Sequence, residues 1–176
     1  PDLLAVGALA NEVRERLHGD RTYFNVNFHI NPTNVCEADC KFCSFARLEP
    51  SSPQAYTMSV EQVRQKLVER LDQPVTEIHI VNGLHPDLPF EYYLDILRDL
   101  KELRPDIHLK AYTAVEIHFF AEKFSMTYEQ VLTRLKDAGL GSLPGGGAEI
   151  FADRARNKLC KGKADAAQWL EVHRAA

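Results

Sequence analysis

The chain has 176 residues, enough for one domain with a hydrophobic core of its own. A net charge of −4 offers no broad basic field to nucleic acid or to an anionic membrane, and no apolar run approaches the roughly 20 residues that span a bilayer. Four cysteines divide into a close group, Cys36, Cys40 and Cys43, and a distant Cys160. That is a poor disulfide framework and a better metal-ligand set, and it points to a reducing, cytoplasmic setting.

Leu9, Val13 and Leu17 recur at four-residue spacing, one apolar face of a helical segment over residues 1–22 that Gly19 and Asp20 close. From Tyr23 to Ile30, Phe24, Val26, Phe28 and Ile30 alternate with other residues and predict a strand, with His29 a candidate for the interior. The cysteine cluster follows in a loop, and residues 46–57, with Pro50, Ser51, Ser52 and Pro53, read as an irregular connection. Ser59 and Gln62 fit a capping box for a helix with Val60, Val63, Leu67 and Leu71 inward, stopped by Pro74.

Glu77–Val81 predicts a second strand, followed by the turn Asn82-Gly83-Leu84-His85-Pro86. Pro89 suits the first turn of a helix facing inward with Phe90, Tyr93, Leu94 and Leu97 and ended by Pro105. His108–Thr113 is a third strand, and Ala114–Ser125 a helix. Thr127 with Gln130 caps another, with Val131, Leu132, Leu135 and Ala138 inward and Gly139 placed for a left-handed terminus. Leu140–Leu143 predicts a fourth strand running into Pro144-Gly145-Gly146-Gly147. Helices are expected over Ala148–Arg156 and from Asp165 onward, the latter with Trp169, Leu170 and His173 on neighbouring turns. Strand, loop and helix recur four times, the pattern of a parallel α/β sheet with right-handed crossovers. The chain starts at Pro1 rather than Met and stops in a helical pattern without a breaker, so a fragment of a longer protein is expected.

Cys36, Cys40 and Cys43 follow the first strand directly, and in a β/α barrel such loops carry the active site. Three thiolates on one loop can hold three irons of a [4Fe–4S] cubane. The fourth iron is then open to the amino nitrogen and carboxylate of a methionine moiety, whose sulfonium S–C5′ bond one electron can break. The alternative is zinc, which wants four ligands; Cys160 or a histidine would have to complete it. Otherwise Cys160 is an ordinary thiol. Phe42 either packs on an adenine ring or simply fills the loop.

The Cys-x3-Cys-x-aromatic-Cys loop resembles that of the radical S-adenosylmethionine superfamily. Asn31-Pro32-Thr33-Asn34-Val35-Cys36 and Leu143-Pro144-Gly145-Gly146-Gly147-Ala148-Glu149 resemble segments of its futalosine-pathway and deazaflavin-synthase branch. Lys110-Ala111-Tyr112-Thr113-Ala114-Val115-Glu116-Ile117 is similar to a segment of the aminofutalosine synthase family. The likeness runs from about Asn27 to the last residue, with three departures: Asn82 for a usual glycine, Gly141 for an aspartate and Tyr112 for a phenylalanine.

The resemblance implies a partial TIM-type (β/α) barrel over residues 23–176, truncated to about four of the six units such enzymes generally close. It implies a [4Fe–4S] cluster on Cys36, Cys40 and Cys43, with S-adenosylmethionine as co-substrate. The 5′-deoxyadenosyl radical would add to 3-[(1-carboxyvinyl)oxy]benzoate and yield 6-amino-6-deoxyfutalosine, an intermediate of menaquinone biosynthesis. A one-electron reductant such as flavodoxin or ferredoxin would be the protein partner. The truncated chain itself is expected to turn over little. The rival enzymes are the dehypoxanthine futalosine cyclase and the deazaflavin (F0) synthase subunit; the rival of another kind is a zinc-stabilised binding module.

Further candidates follow from position. Asn82 and Gly83 would meet the methionine end of the ligand, and Glu116 either bonds ribose hydroxyls or is a helix N-terminal acid. Gly145, Gly146 and Gly147 either cradle a carboxylate or ribose with backbone amides or make a tight turn. Glu149 and His85 are substrate candidates, whereas His118 and His173 read as packing residues.

Overall fold

The computed structural model describes residues 2–176. Its elements in chain order are α1 (Leu3–His18), β1 (Asn27–Ile30), β2 (Asp39–Cys40), α2 (Val60–Val68), β3 (Glu77–Ile80), α3 (Phe90–Leu103), β4 (His108–Ala111), α4 (Ala114–Phe124), α5 (Tyr128–Asp137), α6 (Asp153–Leu159), β5 (Cys160–Lys161) and α7 (Ala166–Ala175). β1, β3 and β4 form a parallel sheet in that order, and β2 pairs antiparallel with β5 in a separate two-stranded ribbon. No helix is long and apolar enough to cross a membrane, among the described residues.

The three parallel strands are two-faced. Ile30, Ile78, Ile80, Leu109 and Ala111 are buried on one face with Phe28 packed beside them, beneath α2 and α3, which supply Val63, Leu67, Leu94, Ile96, Leu97 and Leu100. The opposite face carries Asn27 and His29, Glu77 and His79, and His108 and Lys110, paired across the sheet in two rows. Successive strand residues point to opposite sides, so this polar face follows directly from the alternation. Capping boxes open four helices, at Ser59–Gln62, Thr113–Glu116, Thr127–Gln130 and Asp165–Gln168, and each satisfies amides that a helix start leaves unpaired.

Several boundaries differ from the sequence reading. β1 starts at Asn27, not Tyr23. Val26 O accepts from Thr76 and Glu77, and Pro74, which has no N–H, lies just before its partner strand; Tyr23 and Phe24 are left exposed. β3 ends at Ile80, and β4 ends at Ala111 because Tyr112 turns the chain at φ +58° and Thr113 becomes the cap of α4. The expected fourth strand is a single bridge, Lys110 to Ser142, with Ala111 N–H donating to Ser142 O at 3.0 Å. Leu71 lies beyond the end of α2 and is exposed. The helix expected over 148–156 forms only over Asp153–Leu159, since Gly147 and Glu149 both take positive φ. There the buried Arg156 guanidinium donates to the carbonyls of Gly147, Ala148, Ile150 and Ala164 and holds the bend. The apolar face of α1 packs on nothing: none of its residues is buried.

The three departures from the resembled pattern each have a local cause. The Tyr112 hydroxyl donates to Tyr93 O at 2.7 Å, a partner that a buried phenol needs. A Cβ at Gly141 would meet the His108 ring at 2.5 Å, and that ring bonds Ser142 Oγ. The Asn82 side chain reaches the Glu116 carboxylate.

Gly83 is the tightest glycine: an added Cβ would lie 2.1 Å from Val35 O, a backbone atom that cannot swing aside. Gly145 has open space around it. Gly83→Ala should therefore destabilise by about 1–3 kcal/mol or more as overpacking does, while Gly145→Ala should change stability by less than about 1 kcal/mol. Urea midpoints check this; equal midpoints for the two variants would contradict the packing described.

Candidate functional site

The C-terminal ends of β1, β3 and β4 open onto a cavity of about 470 Å3. Its wall includes Cys36, Cys40 and Cys43, with His29 and His79 from the sheet, Asn82 and Gly83 after β3, Thr113 and Glu116 at the start of α4, and Gly146, Gly147, Glu149 and Lys163 from the C-terminal third.

Main-chain bonds fix the cysteine loop. Gly83 N–H donates to Thr33 O at 2.9 Å, Cys36 N–H to Arg47 O at 2.9 Å, and Glu37 N–H to Leu84 O at 3.0 Å. The buried Asn34 ties in the irregular 46–57 segment: its amide donates to Gln54 O, and its oxygen accepts from Tyr56 N–H. Cys43 N–H closes a turn on Cys40 O at 2.9 Å. Cys160, far away in sequence, stands opposite Cys40 in the β2–β5 ribbon. All four cysteines are free thiols. Burial pushes the Cys36 thiol up, and burial also raises Cys40 to about 11, against a lowering influence from Lys163. Ionising such desolvated sulfurs calls for a nearby positive centre.

Among the described residues, no three His, Cys, Asp or Glu side chains converge on one metal-ion position. A structural zinc needs four ligands around a single ion, and the loop itself offers three thiols. In a cubane each thiolate takes a different iron, and three free thiols on one wall of one cavity fit that donor set.

Glu116 is buried at 2 % exposure. One of its oxygens accepts from Asn82 N–H at 2.9 Å and Asn82 Nδ2 at 3.2 Å; the other accepts from Thr113 N–H at 2.8 Å and Thr113 Oγ1 at 2.9 Å. Burial nonetheless raises its carboxyl to about 7. Glu116 is thus both the capping acid of α4 and the clasp of the β3 turn, with its acceptor positions already engaged. Asn82 Oδ1 is buried without a partner.

The other sequence candidates fall into two groups. Phe42 lines the cavity, half exposed, with the Lys163 ammonium 5.7 Å from its ring centre. Gly146, Gly147 and Glu149 also line it, and Glu149 Oε1 accepts from Lys163 Nζ at 2.7 Å. His85 does not line it: its Nδ1 accepts from Asp87 N–H at 3.1 Å within the turn. Gly145 lies off the wall, with nothing within 4 Å of where its Cβ would stand. The close approach at Gly83 is to the Val35 backbone rather than to open cavity. His118 bonds the Tyr128 hydroxyl, and His173 packs on Trp169, as packing residues do. Sequence reasoning missed Lys163 and His79. No spacing signals the first; the second was signalled by its inward parity on a strand.

Residues 30–176 match the Radical SAM superfamily. Aminodeoxyfutalosine synthase of Thermus thermophilus is 46 % identical over 99 % of this chain and 47 % of its own length. That of Streptomyces coelicolor is 48 % identical over 99 % and 45 %. A 5-amino-6-(D-ribitylamino)uracil–L-tyrosine 4-hydroxyphenyl transferase of Methanopyrus kandleri is 42 % identical over 95 % and 45 %. The chain therefore spans about half the length of the curated relatives it matches. The solved structure of HydG, a maturase of the [FeFe]-hydrogenase, superposes with a TM-score of 0.71 over 96 % of this chain and 36 % of that one, at 18 % identity, a likeness of fold. The fold is a partial TIM-type α/β barrel, and the chain belongs to the radical SAM superfamily, whose enzymes use a [4Fe–4S] cluster and S-adenosylmethionine.

Proposed function

We propose that this chain is the cluster-binding part of an aminofutalosine synthase, which joins the 5′-deoxyadenosyl group of S-adenosylmethionine to 3-[(1-carboxyvinyl)oxy]benzoate, releases methionine, and after rearrangement and loss of the carboxyl as bicarbonate yields 6-amino-6-deoxyfutalosine. The observation that carries the reading is the gathering of Cys36, Cys40, Cys43 and the Asn82–Gly83 turn on one cavity, in a chain 46–48 % identical to two such synthases. A bound [4Fe–4S] cluster supplies a single electron, which cleaves the sulfonium S–C5′ bond.

The chain's own residues bind, orient and shield. Cys36, Cys40 and Cys43 would each ligate one iron. Asn82 Oδ1, an acceptor without a partner, would accept from the methionine ammonium. Glu116 acts through Asn82: by clasping its amide and main chain it fixes the turn before the ligand arrives. Phe42 offers a ring for the adenine, and the Gly146–Gly147 wall closes the ribose side. The largely apolar lining keeps water from a carbon radical. A one-electron reductant such as flavodoxin or ferredoxin would recharge the site.

The 42 % identity to the 4-hydroxyphenyl transferase favours a second reading, the deazaflavin synthase subunit, with the same cofactors and another acceptor. Anaerobic incubation of a chain extended past Ala176 with S-adenosylmethionine and each acceptor, followed by the mass of the product, separates the two. The proposal expects aminodeoxyfutalosine. A product formed with tyrosine and the ribitylaminouracil instead would replace it with the second reading.

Iron–sulfide reconstitution should give a brown, dithionite-bleachable chromophore that Cys40→Ala loses, with at least a 100-fold fall in 5′-deoxyadenosine formation. An unchanged chromophore in that variant would remove Cys40 from the ligand set. Glu116→Gln should cost about 1–3 kcal/mol, because an amide NH2 then meets donors. The sign of its pH effect follows from linkage. A carboxyl raised from 4.5 to about 7 on folding holds its proton more tightly in the native state, so its contribution declines as pH rises through that window. Denaturant melts at about pH 5 and about pH 8 should therefore show wild type losing stability relative to Glu116→Gln at the higher pH; parallel profiles would contradict the assignment.

A further inference from the structure

The polar face of the sheet carries two rows of side chains. In the lower row, Asn27, Glu77 and His108 are neighbours, and in the next His29, His79 and Lys110. The lower row is satisfied internally: Glu77 accepts from Asn27 at 2.7 Å and pairs with Lys110 at 2.6 Å, while His108 bonds Ser142 at 2.8 Å. The His29 and His79 imidazoles are different. They stack with ring centres 4.7 Å apart and planes 11° from parallel, and they line the same cavity as the cysteine loop. His79 Nε2 is buried and has no partner.

A barrel interior is ordinarily filled with packed branched residues. Two imidazoles stacked face to face gain little from burial and leave a buried nitrogen unsatisfied, an arrangement that costs stability unless a ligand completes it. Elsewhere on the wall the charged groups are committed: Glu116 to Asn82 and Thr113, Glu149 to Lys163. What is left on the floor is the imidazole pair, which can turn ring N–H groups to one ligand, while Lys110 in the same row is held by Glu77. That set recognises an anion. Two ring edges this far apart can each donate to one oxygen of a single carboxylate at about 2.8 Å. Burial, the neighbouring His29 and Lys110 all push the His79 proton affinity down.

We propose that His29 and His79 are the carboxylate anchor of this cavity, binding a small aromatic or enol-ether acid with its far end toward the Cys36–Cys43 loop. The inference rests on the proposed reaction insofar as that reaction's acceptor is such an acid. It extends that reading by naming the residues that seat the acceptor, and they are positioning residues, not ligands of iron.

The probes are isophthalate and its neutral counterpart isophthalamide, titrated by calorimetry into the reconstituted protein. The variants are His29→Leu, His79→Leu and His79→Gln, the last restoring an N–H donor. Isophthalate affinity should fall about 10- to 100-fold in each Leu variant, the effect of losing one hydrogen bond to a charged group. His79→Gln should recover part of it, and isophthalamide should bind all forms alike, which a variant that had merely lost its fold would not do. Wild-type isophthalate affinity in both Leu variants, or equal losses for isophthalate and isophthalamide, would overturn the anchor. So would a wild type that cleaves S-adenosylmethionine yet takes up no isophthalate, and that result would leave the proposed cofactor chemistry standing. Histidine-dependent isophthalate binding without any S-adenosylmethionine cleavage would do the reverse: it would support the anchor and sink the reaction.

Discussion

The site depends on backbone segments crossing at the ends of parallel strands without room to spare. The β3 turn presses Gly83 against the carbonyl of Val35, and hydrogen bonds join Gly83 to Thr33 and Glu37 to Leu84. These contacts fix where the cysteine loop leaves β1. A loop carrying three thiols is otherwise free to splay, and its entropy would then oppose any ligand that needs all three. Here the ordering is done when the chain folds. The 46–57 segment adds a second clamp through Asn34 and Arg47.

From that junction the rest follows in sequence. The strands bury their apolar face under α2 and α3, which forces the alternate residues toward the cavity side. Polar residues at those positions make a floor of imidazoles, amides and one matched ion pair instead of a packed core. The cavity is therefore lined both by the sulfurs of the loop and by the imidazoles and amides of the sheet and its turns, with apolar surface making up most of the rest. Glu116 links the ends of β3 and β4: a single carboxylate caps α4 and holds the Asn82 turn, so it ties together two loops from different β/α units.

Much of this was legible in the sequence where one short-range rule decides. The capping boxes read at Ser59 and Thr127 are local chemistry, and those helices begin where they say; Thr113 and Asp165 make two more that the sequence reading passed over. The spacing of Cys36, Cys40 and Cys43 is a ligand pattern that needs no tertiary knowledge. What the sequence did not reveal depends on partners far along the chain. The alternation from Tyr23 reads as strand, but a strand exists only where a neighbour pairs with it, and pairing starts at Asn27. Leu140–Leu143 has strand-like composition yet makes one bridge. His85 and Gly145 looked like site residues by proximity to Gly83 and Gly146, but one bonds within its own turn and the other stands off the wall. The place of Lys163 beside Glu149 and Phe42, and of Cys160 across from Cys40, arises from the Arg156-held bend that brings the C-terminal third back to the loop. No local pattern announces it.

The central claim is that three thiolates hold a cubane and leave one iron open to an amino acid. Electron paramagnetic resonance of the reconstituted, dithionite-reduced protein addresses it most directly, recorded with and without S-adenosylmethionine. The account predicts the spectrum of a reduced [4Fe–4S] cluster whose g-values shift when the sulfonium nucleoside is added. A spectrum indifferent to S-adenosylmethionine, or a protein that takes up stoichiometric zinc and gives no iron–sulfur signal, would contradict it.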